Sequence, residues 1–284
     1  MEFGKLQNVE CVNFDLPPID SYTKKILGGK PAENFTLHFG LPIWGQKEWK
    51  GKIYPKDAQP KEFLKCYAQV FKAIELNTTH YRIPDEKMIK KWIADTPEDF
   101  IFAPKFPQTI SHAADYETVI DEAHVFCDSI RILGARLGMT FLQIPPSVGR
   151  LQLSNLAKLL VALPKDMNHS IELRHPNLFR NGILLPSLAE FLTKNNISTV
   201  ISDVAGRRDV SHTTLTTKKL MVRFIGNNLH KTDYSRIDAW AKRIEEFKAL
   251  GLEELYFFCH EHNNEVAPEI AGYGRQVIGK LGLF

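Results

Sequence analysis

The sequence predicts an α/β protein of the (β/α)8 TIM-barrel type, a single domain with an irregular N-terminal extension. Short apolar runs recur about every 31 residues between positions 36 and 254, the repeat length of a βαβ unit. Most of these runs are apolar on both faces, which suits a parallel sheet covered by helices rather than a sheet with one wet face. The rival architecture, an open doubly wound sheet, lacks its ligand signal, because neither G-x-G-x-x-G nor G-x-x-x-x-G-K-[ST] occurs.

Residues 1–34 have no clear period and contain Pro17-Pro18 and Gly28-Gly29, so they read as an extension packed on a barrel of residues 35–284. Candidate strands cover 36–43, 73–77, 101–105, 139–144, 170–173, 199–203, 220–225 and 255–259. Helical stripes lie between them. Phe63, Leu64, Tyr67, Val70 and Phe71 form the first, and Met88, Ile89, Trp92 and Ile93 the second, with Asp85 as its cap. Val119 to Leu137 carries a longer third stripe. Leu156, Leu159, Leu160 and Leu163 follow Ser154, read as an N-cap, and residues 185–192 make a fifth stripe. Ile237, Trp240, Ala241 and Ile244 follow Ser235-x-x-Asp238, read as a capping box, and residues 266–281 form the last helix. The sixth connection, 207–218, is rich in threonine and has no helical stripe, so a loop or short helix is expected there.

The composition is that of an ordinary globular chain, 44% hydrophobic and 24% charged over 284 residues. A net charge of +3 permits an anionic ligand without demanding nucleic acid. Cys11, Cys66, Cys127 and Cys259 lie far apart with no C-x-x-C, which suits a reduced, cytoplasmic protein. There is no N-terminal apolar segment of signal-peptide type and no apolar run near the length of a span, so no membrane association is expected.

Two apolar runs carry carboxylates that a packed core would reject: Ile74-Glu75-Leu76-Asn77 and Ile171-Glu172-Leu173-Arg174. In a strand, residues i and i+2 share a face, so Glu75 pairs with Asn77 and Glu172 with Arg174, opposite the leucines. Unpaired buried charge is costly, so these strands imply a shared polar interior at one end of a sheet. A barrel places its active site at the C-terminal strand ends. Reading those ends in order gives Trp44, then Asn77 with Tyr81 and Arg82, Lys105, Gln143, Glu172 with Arg174 and His175, Asp203, Arg223, and finally His260 to Asn264. Lys105, Arg174 and Arg223 at one mouth call for anions, either the carboxylates or a ligand. His260 and His262 have the spacing of a strand-borne metal pair, but the surrounding cations oppose a divalent ion, and the reading assigns no metal. Trp44, Trp49 and Tyr81 are candidate stacking surfaces, with Trp49 equally a loop anchor. No nucleophile triad is assembled around Ser111, Ser202 or Cys259.

These residues carry a resemblance. The chain resembles the domain-of-unknown-function 72 family, also called YecE-like proteins, through 40–44, Trp49-Lys50-Gly51 with Tyr54-Pro55, 74–77 with Tyr81-Arg82-Ile83-Pro84, Trp92 and Thr96-Pro97. The match continues through 100–105, Ile110-Ser111-His112, 142–146, 171–176, Asp203, 222–224 and 260–268, in order over residues 36–275. The resemblance implies a TIM barrel, with Glu75, Asn77, Tyr81, Lys105, Glu172, Arg174, Asp203 and Arg223 lining a common pocket. It implies no activity. The barrel type is similar to xylose-isomerase and endonuclease-IV-like barrels, which use metals at the strand ends, an analogy of fold alone. Two features depart from the family's pattern. Leu41-Pro42-Ile43 stands before Trp44 where small or polar residues are commoner, and the lead-in is long enough to cover one end of the barrel.

The function expected on these grounds is an enzyme acting on an anionic small molecule, phosphorylated or carboxylated, by acid/base chemistry, with no obligatory metal and no cofactor. Glu75 and Glu172 are the expected acid and base, with Asp203 or His175 setting their protonation. Lys105, Arg174 and Arg223 clamp the anion, and Trp44, Asn77, Tyr81, Gln143, His175 and Asn264 complete the binding set. The alternatives are a nucleic-acid-binding protein using Lys47, Lys50, Lys52 and Lys56, a metal-dependent hydrolase, phosphoesterase or isomerase using Glu75, Glu172, Asp203, His260 and His262, and a non-catalytic small-molecule binder.

Overall fold

The computed structural model describes residues 4–281. Eight parallel strands form a nearly closed barrel: β1 (Thr36–Leu41), β2 (Ala73–Leu76), β3 (Ile101–Pro104), β4 (Thr140–Gln143), β5 (His169–Glu172), β6 (Ile197–Asp203), β7 (Lys219–Ile225) and β8 (Glu254–His260). Seven continuous ladders join neighbouring strands. The seam between β3 and β4 is held by isolated bridges, Phe102 with Leu137 and Lys105 with Phe141. At that seam Gly138 N donates to Phe102 O at 2.8 Å and Phe106 N to Phe141 O at 3.0 Å.

The strands are short because they span only the barrel wall. Their alternation sorts residues into two cores. Inside lie Ala73, Ala103, Met139, Phe141, Val200, Met221, Tyr256 and Phe258, which fill the lower barrel. Outside, the other face of each strand packs on helices, as where Phe39, Phe224 and Trp240 surround Phe257. One step above the inner apolar layer, the same inward face carries Glu75, Lys105, Gln143, Glu172, Arg223 and His260. In β1, Gly40 is required, since a Cβ there would meet Ala73 O at 1.9 Å.

The helices are α1 (Ser21–Leu27), α2 (Phe63–Val70), α3 (Glu86–Ala94), α4 (Gln108–Ser111), α5 (Ile120–Arg131), α6 (Leu153–Ala162), α7 (Pro186–Lys194), α8 (Lys231–Leu250) and α9 (Ala267–Val277). Asp85 caps α3, accepting from Met88 N at 2.7 Å. Two expected caps are corrected. Ser154 lies inside α6, and Ser235 lies inside α8, whose start is capped by His230 accepting from Thr232 N at 3.3 Å. A two-residue hairpin, Phe179–Arg180 with Ile183–Leu184, was not anticipated, although Asn181-Gly182, both with positive φ, is its usual turn.

After β6 the chain makes only a 3-10 segment, Ala205–Val210, and then an extended stretch. The outer position left between α7 and α8 is filled from the lead-in by α1. Thr23 Oγ1 donates to Thr213 O at 3.0 Å and accepts from Leu215 N at 2.9 Å. Tyr22 bonds Thr193 of α7, and Arg243 of α8 donates to Pro17 O at 2.6 Å. The lead-in is therefore not irregular throughout. It runs down the flank of the barrel, and residues 4–10 lie beside the loops after β6, β7 and β8. Among the described residues no helix is long and apolar enough to cross a membrane.

Candidate functional site

Arg223 is the centre of the upper barrel, with no exposed surface. It binds Glu75 through two nitrogens, Nε to Oε2 at 2.9 Å and Nη2 to Oε1 at 3.0 Å, and Glu172 through Nη1 to Oε2 at 2.7 Å. Glu75 also accepts from Asn77 Nδ2 and lies 2.8 Å from His260 Nε2. Glu172 also accepts from Arg174 Nε at 2.6 Å and from Gln143 Nε2 at 2.7 Å. Lys105 Nζ donates to Gln143 Oε1 at 2.8 Å. Burial alone would raise both carboxyls. Arg223 and His260 at Glu75, and Arg174 and Arg223 at Glu172, outweigh it and hold both below the ordinary carboxylate range.

Above this lattice is a cavity of about 650 Å³ lined by Trp44, Asn77, Lys105, Gln143, Asn264 and Tyr81, together with His80, His260, Glu261 and His262. Of the residues expected from sequence, these first six face the cavity. Tyr81 is 81% exposed, a rim residue rather than an enclosed stacking plate. Trp44 meets Trp92 edge-on at 6.4 Å, while Trp49 is fully buried and donates to Asn264 O, so it anchors the mouth loop. Glu75, Glu172, Arg174 and Arg223 lie beneath the cavity and form its support.

Asp203 and His175 are not brought to this site. Register pairs Ser202 with Arg223, so Ser202 points inward and Asp203 points outward. There Asp203 is bound by Arg236 and Arg208 and accepts from Trp240 Nε1 at 2.8 Å, which ties β6 to α8 and to the segment after β6. His175 caps the turn Pro176–Leu178, accepting from Asn177 N at 3.1 Å. Replacing Asp203 by Asn removes one of the two buried carboxylates that meet Arg236, the other being Asp233 at 3.3 Å, and also the partner of Arg208. The expected loss is about 1–3 kcal/mol in urea unfolding, as for hydrogen bonds to a charged group, with ligand affinity at the cavity unchanged. An affinity loss larger than the stability loss would return Asp203 to the site.

Sequence reasoning passed over His80 and gave Glu261, at the eighth strand end, no role. His80 sits in the turn Asn77–His80 that carries Asn77, and its Nδ1 bonds Phe106 O at 3.0 Å. Burial first, then Lys105, His112 and Arg174, push His80 down to about 4. Glu261 accepts from Asn228 N at 2.7 Å, and burial together with the Asp233 carboxylate pushes it up to about 7. Gly226 was a usable signal for Glu261, since a Cβ there would meet its Oε1 at 2.2 Å. The donors of the metal reading do not converge: among the described residues no group of three or more His, Cys, Asp or Glu is placed to hold an ion, and His260 Nε2 is engaged by Glu75.

The family profile described as "Protein of unknown function DUF72" matches residues 38–281. The chain is similar to the UPF0759 protein YecE of Escherichia coli strain K12, with 29% identity over 252 residues, covering 82% of this chain and 89% of that protein. It is 22% identical over 276 residues to the UPF0759 protein YunF of Bacillus subtilis strain 168, covering 87% and 95%. Two crystal structures of DUF72 family proteins share the fold. EF0366 from Enterococcus faecalis V583 aligns with a TM-score of 0.71 and 19% identity over 86% of this chain and 96% of that one. TM1631 from Thermotoga maritima MSB8 aligns with a TM-score of 0.66 and 23% identity over 87% and 98%.

Proposed function

The chain belongs to the family of proteins of unknown function DUF72, and from that premise we propose that its strand-end cavity binds a small phosphorylated or carboxylated substrate and acts on it by acid/base chemistry. The observation that supports this is the excess of cations around Lys105. The two glutamates are matched by Arg223 and Arg174, which leaves Lys105 as the surplus cation of the cluster. Bases around it respond to that charge. Beyond the effect of burial, His80 and His112 are held down by Lys105 and Arg174, and Lys105 itself by Arg223. An anion seated at Lys105 relieves this repulsion and gains charge-assisted hydrogen bonds.

Glu75 and Glu172, pinned as carboxylates, act in this reading as positioning residues that hold Arg223 and Gln143. Proton transfer passes to groups that face the cavity: neutral His80 as a base and Glu261 as an acid near neutral pH. Inorganic phosphate and malate, titrated by thermal shift and by NMR, test the binding. Saturable binding is expected, weakened about tenfold or more in Lys105→Gln, since one hydrogen bond to a charged group is lost. The same affinity in wild type and Lys105→Gln would defeat the proposal. Binding of a duplex oligonucleotide with a steep salt dependence would instead make the mouth a nucleic-acid surface carrying Lys47, Lys50, Lys52 and Lys56.

A further inference from the structure

Lys105 has properties that anion binding does not require. Its backbone is fixed on both sides, N to Leu76 O at 3.3 Å and O from Thr79 Oγ1 at 2.6 Å. Its side chain points into the barrel, with Nζ 5.9 Å from the centre of the Phe141 ring. The residue is buried, yet it lines the cavity. Among the described residues it forms no ion pair, and its one hydrogen-bond partner is the neutral Gln143 amide oxygen. Both glutamates that might have neutralised it are spent on arginines. A lysine held this way is a nucleophile in waiting rather than a salt-bridge partner.

We propose that Lys105 attacks the carbonyl carbon of the substrate and forms an imine, so that the ligand class is a small aldehyde or ketone bearing a carboxylate or phosphate. This deepens the anion-binding reading and rests on it for the docking of the acidic group. The neutral amine forms the N–C bond while the carbonyl π pair moves to oxygen, and His80 relays one proton from nitrogen to that oxygen to give the carbinolamine. Glu261, in the same cavity, gives the hydroxyl a second proton, so that it leaves as water while the nitrogen lone pair forms the C=N bond. The product is the protonated imine, with no net oxidation. Burial first and Arg223 second bring the Lys105 ammonium down to about 8, against Glu75 and Glu172, which act in the opposite sense. At pH 7.5 this gives a neutral fraction roughly 200-fold above that of a surface lysine.

The test is reductive trapping of the intact protein with cyanoborohydride and low concentrations of glyoxylate, pyruvate or neutral glycolaldehyde, followed by peptide mapping. Lys105 should be labelled at least about tenfold faster than any other lysine. The rate should level off near pH 8, and inorganic phosphate should compete. Lys105→Arg keeps the charge and should retain phosphate binding while losing the label. Trapping at Lys105 with the neutral aldehyde as readily as with glyoxylate would keep the nucleophile and overturn the anion site. Phosphate or malate binding with no preferential label at Lys105 would keep the anion site and overturn the nucleophile.

Discussion

Arg223→Met is expected to destabilise the fold by about 3–5 kcal/mol at pH 7, as the breaking of a buried ion pair does. The guanidinium answers Glu75 with two hydrogen bonds and Glu172 with one, and neither carboxylate has appreciable exposure. Removing it leaves two carboxylates facing each other across the barrel, with His260, Asn77, Gln143 and Arg174 as partial compensation. Both would then take up protons more readily, so the loss should shrink at pH 5. Adding Glu75→Gln in the same chain should recover much of it, since this removes the carboxylate that has no other arginine, leaves Glu172 paired with Arg174, and returns the cluster to its wild-type net charge. Urea midpoints at unchanged m-value are the measurement. A loss below about 1 kcal/mol in Arg223→Met would mean that water, not Arg223, solvates the glutamates.

Stability should fall in two stages on acidification. Burial holds the His169 and His212 rings at about 4. Each is a base with a depressed native value, so the unfolded chain binds its proton first. Stability is then complete above about pH 6.5 and declines toward pH 4, by roughly 2 kcal/mol each at pH 5. His80 acts in the same direction. Glu261 runs the other way: its native value is raised to about 7, so it contributes below about pH 4.3 and that contribution is lost as pH rises through 7. The histidines outnumber it. The second stage belongs to Glu75 and Glu172, whose native values are depressed. Their contribution is present above about pH 4.3 and lost as pH falls through the native values. Urea unfolding at pH 7.5, 5 and 3.5 should show both declines, and His212→Asn should flatten the first. A profile flat from pH 7.5 to 5 would show that these rings are protonated in the native barrel.

The barrel was legible because its repeat is local. Each strand announces itself by a two-sided apolar run, and each long helix by its stripe. The polar layer was legible where i and i+2 both carried polar or charged side chains, as at Glu75 with Asn77 and Glu172 with Arg174. Asp203 misled because all seven residues of β6 are buried, so nothing in the run tells inward from outward. Only the register with β7 decides it. The glutamates were legible as buried charge and Arg223 as one of three cations facing them, but which cation each glutamate would take was not. Arg223 stands 148 residues from Glu75 and 51 from Glu172, and only closure of the barrel brings them together. His80 lies three residues past Asn77, at the end of a turn, and Glu261 one residue past His260, at a strand end, and the sequence does not encode which way either side chain points.

The borrowed sixth helix orders events in time. α1 leaves the ribosome before any barrel strand, yet its partners at Thr213 and Leu215 follow about 190 residues later. A seven-residue helix is too short to persist alone in water. During synthesis the segment therefore waits as loose chain, and the gap beside α7 stays open until β6, β7 and α8 have assembled. Closing so large a loop is entropically expensive and slow. Docking of α1 becomes a late latch, and an intermediate with a finished barrel and an unfilled flank is the species that chaperones or a second chain would meet first.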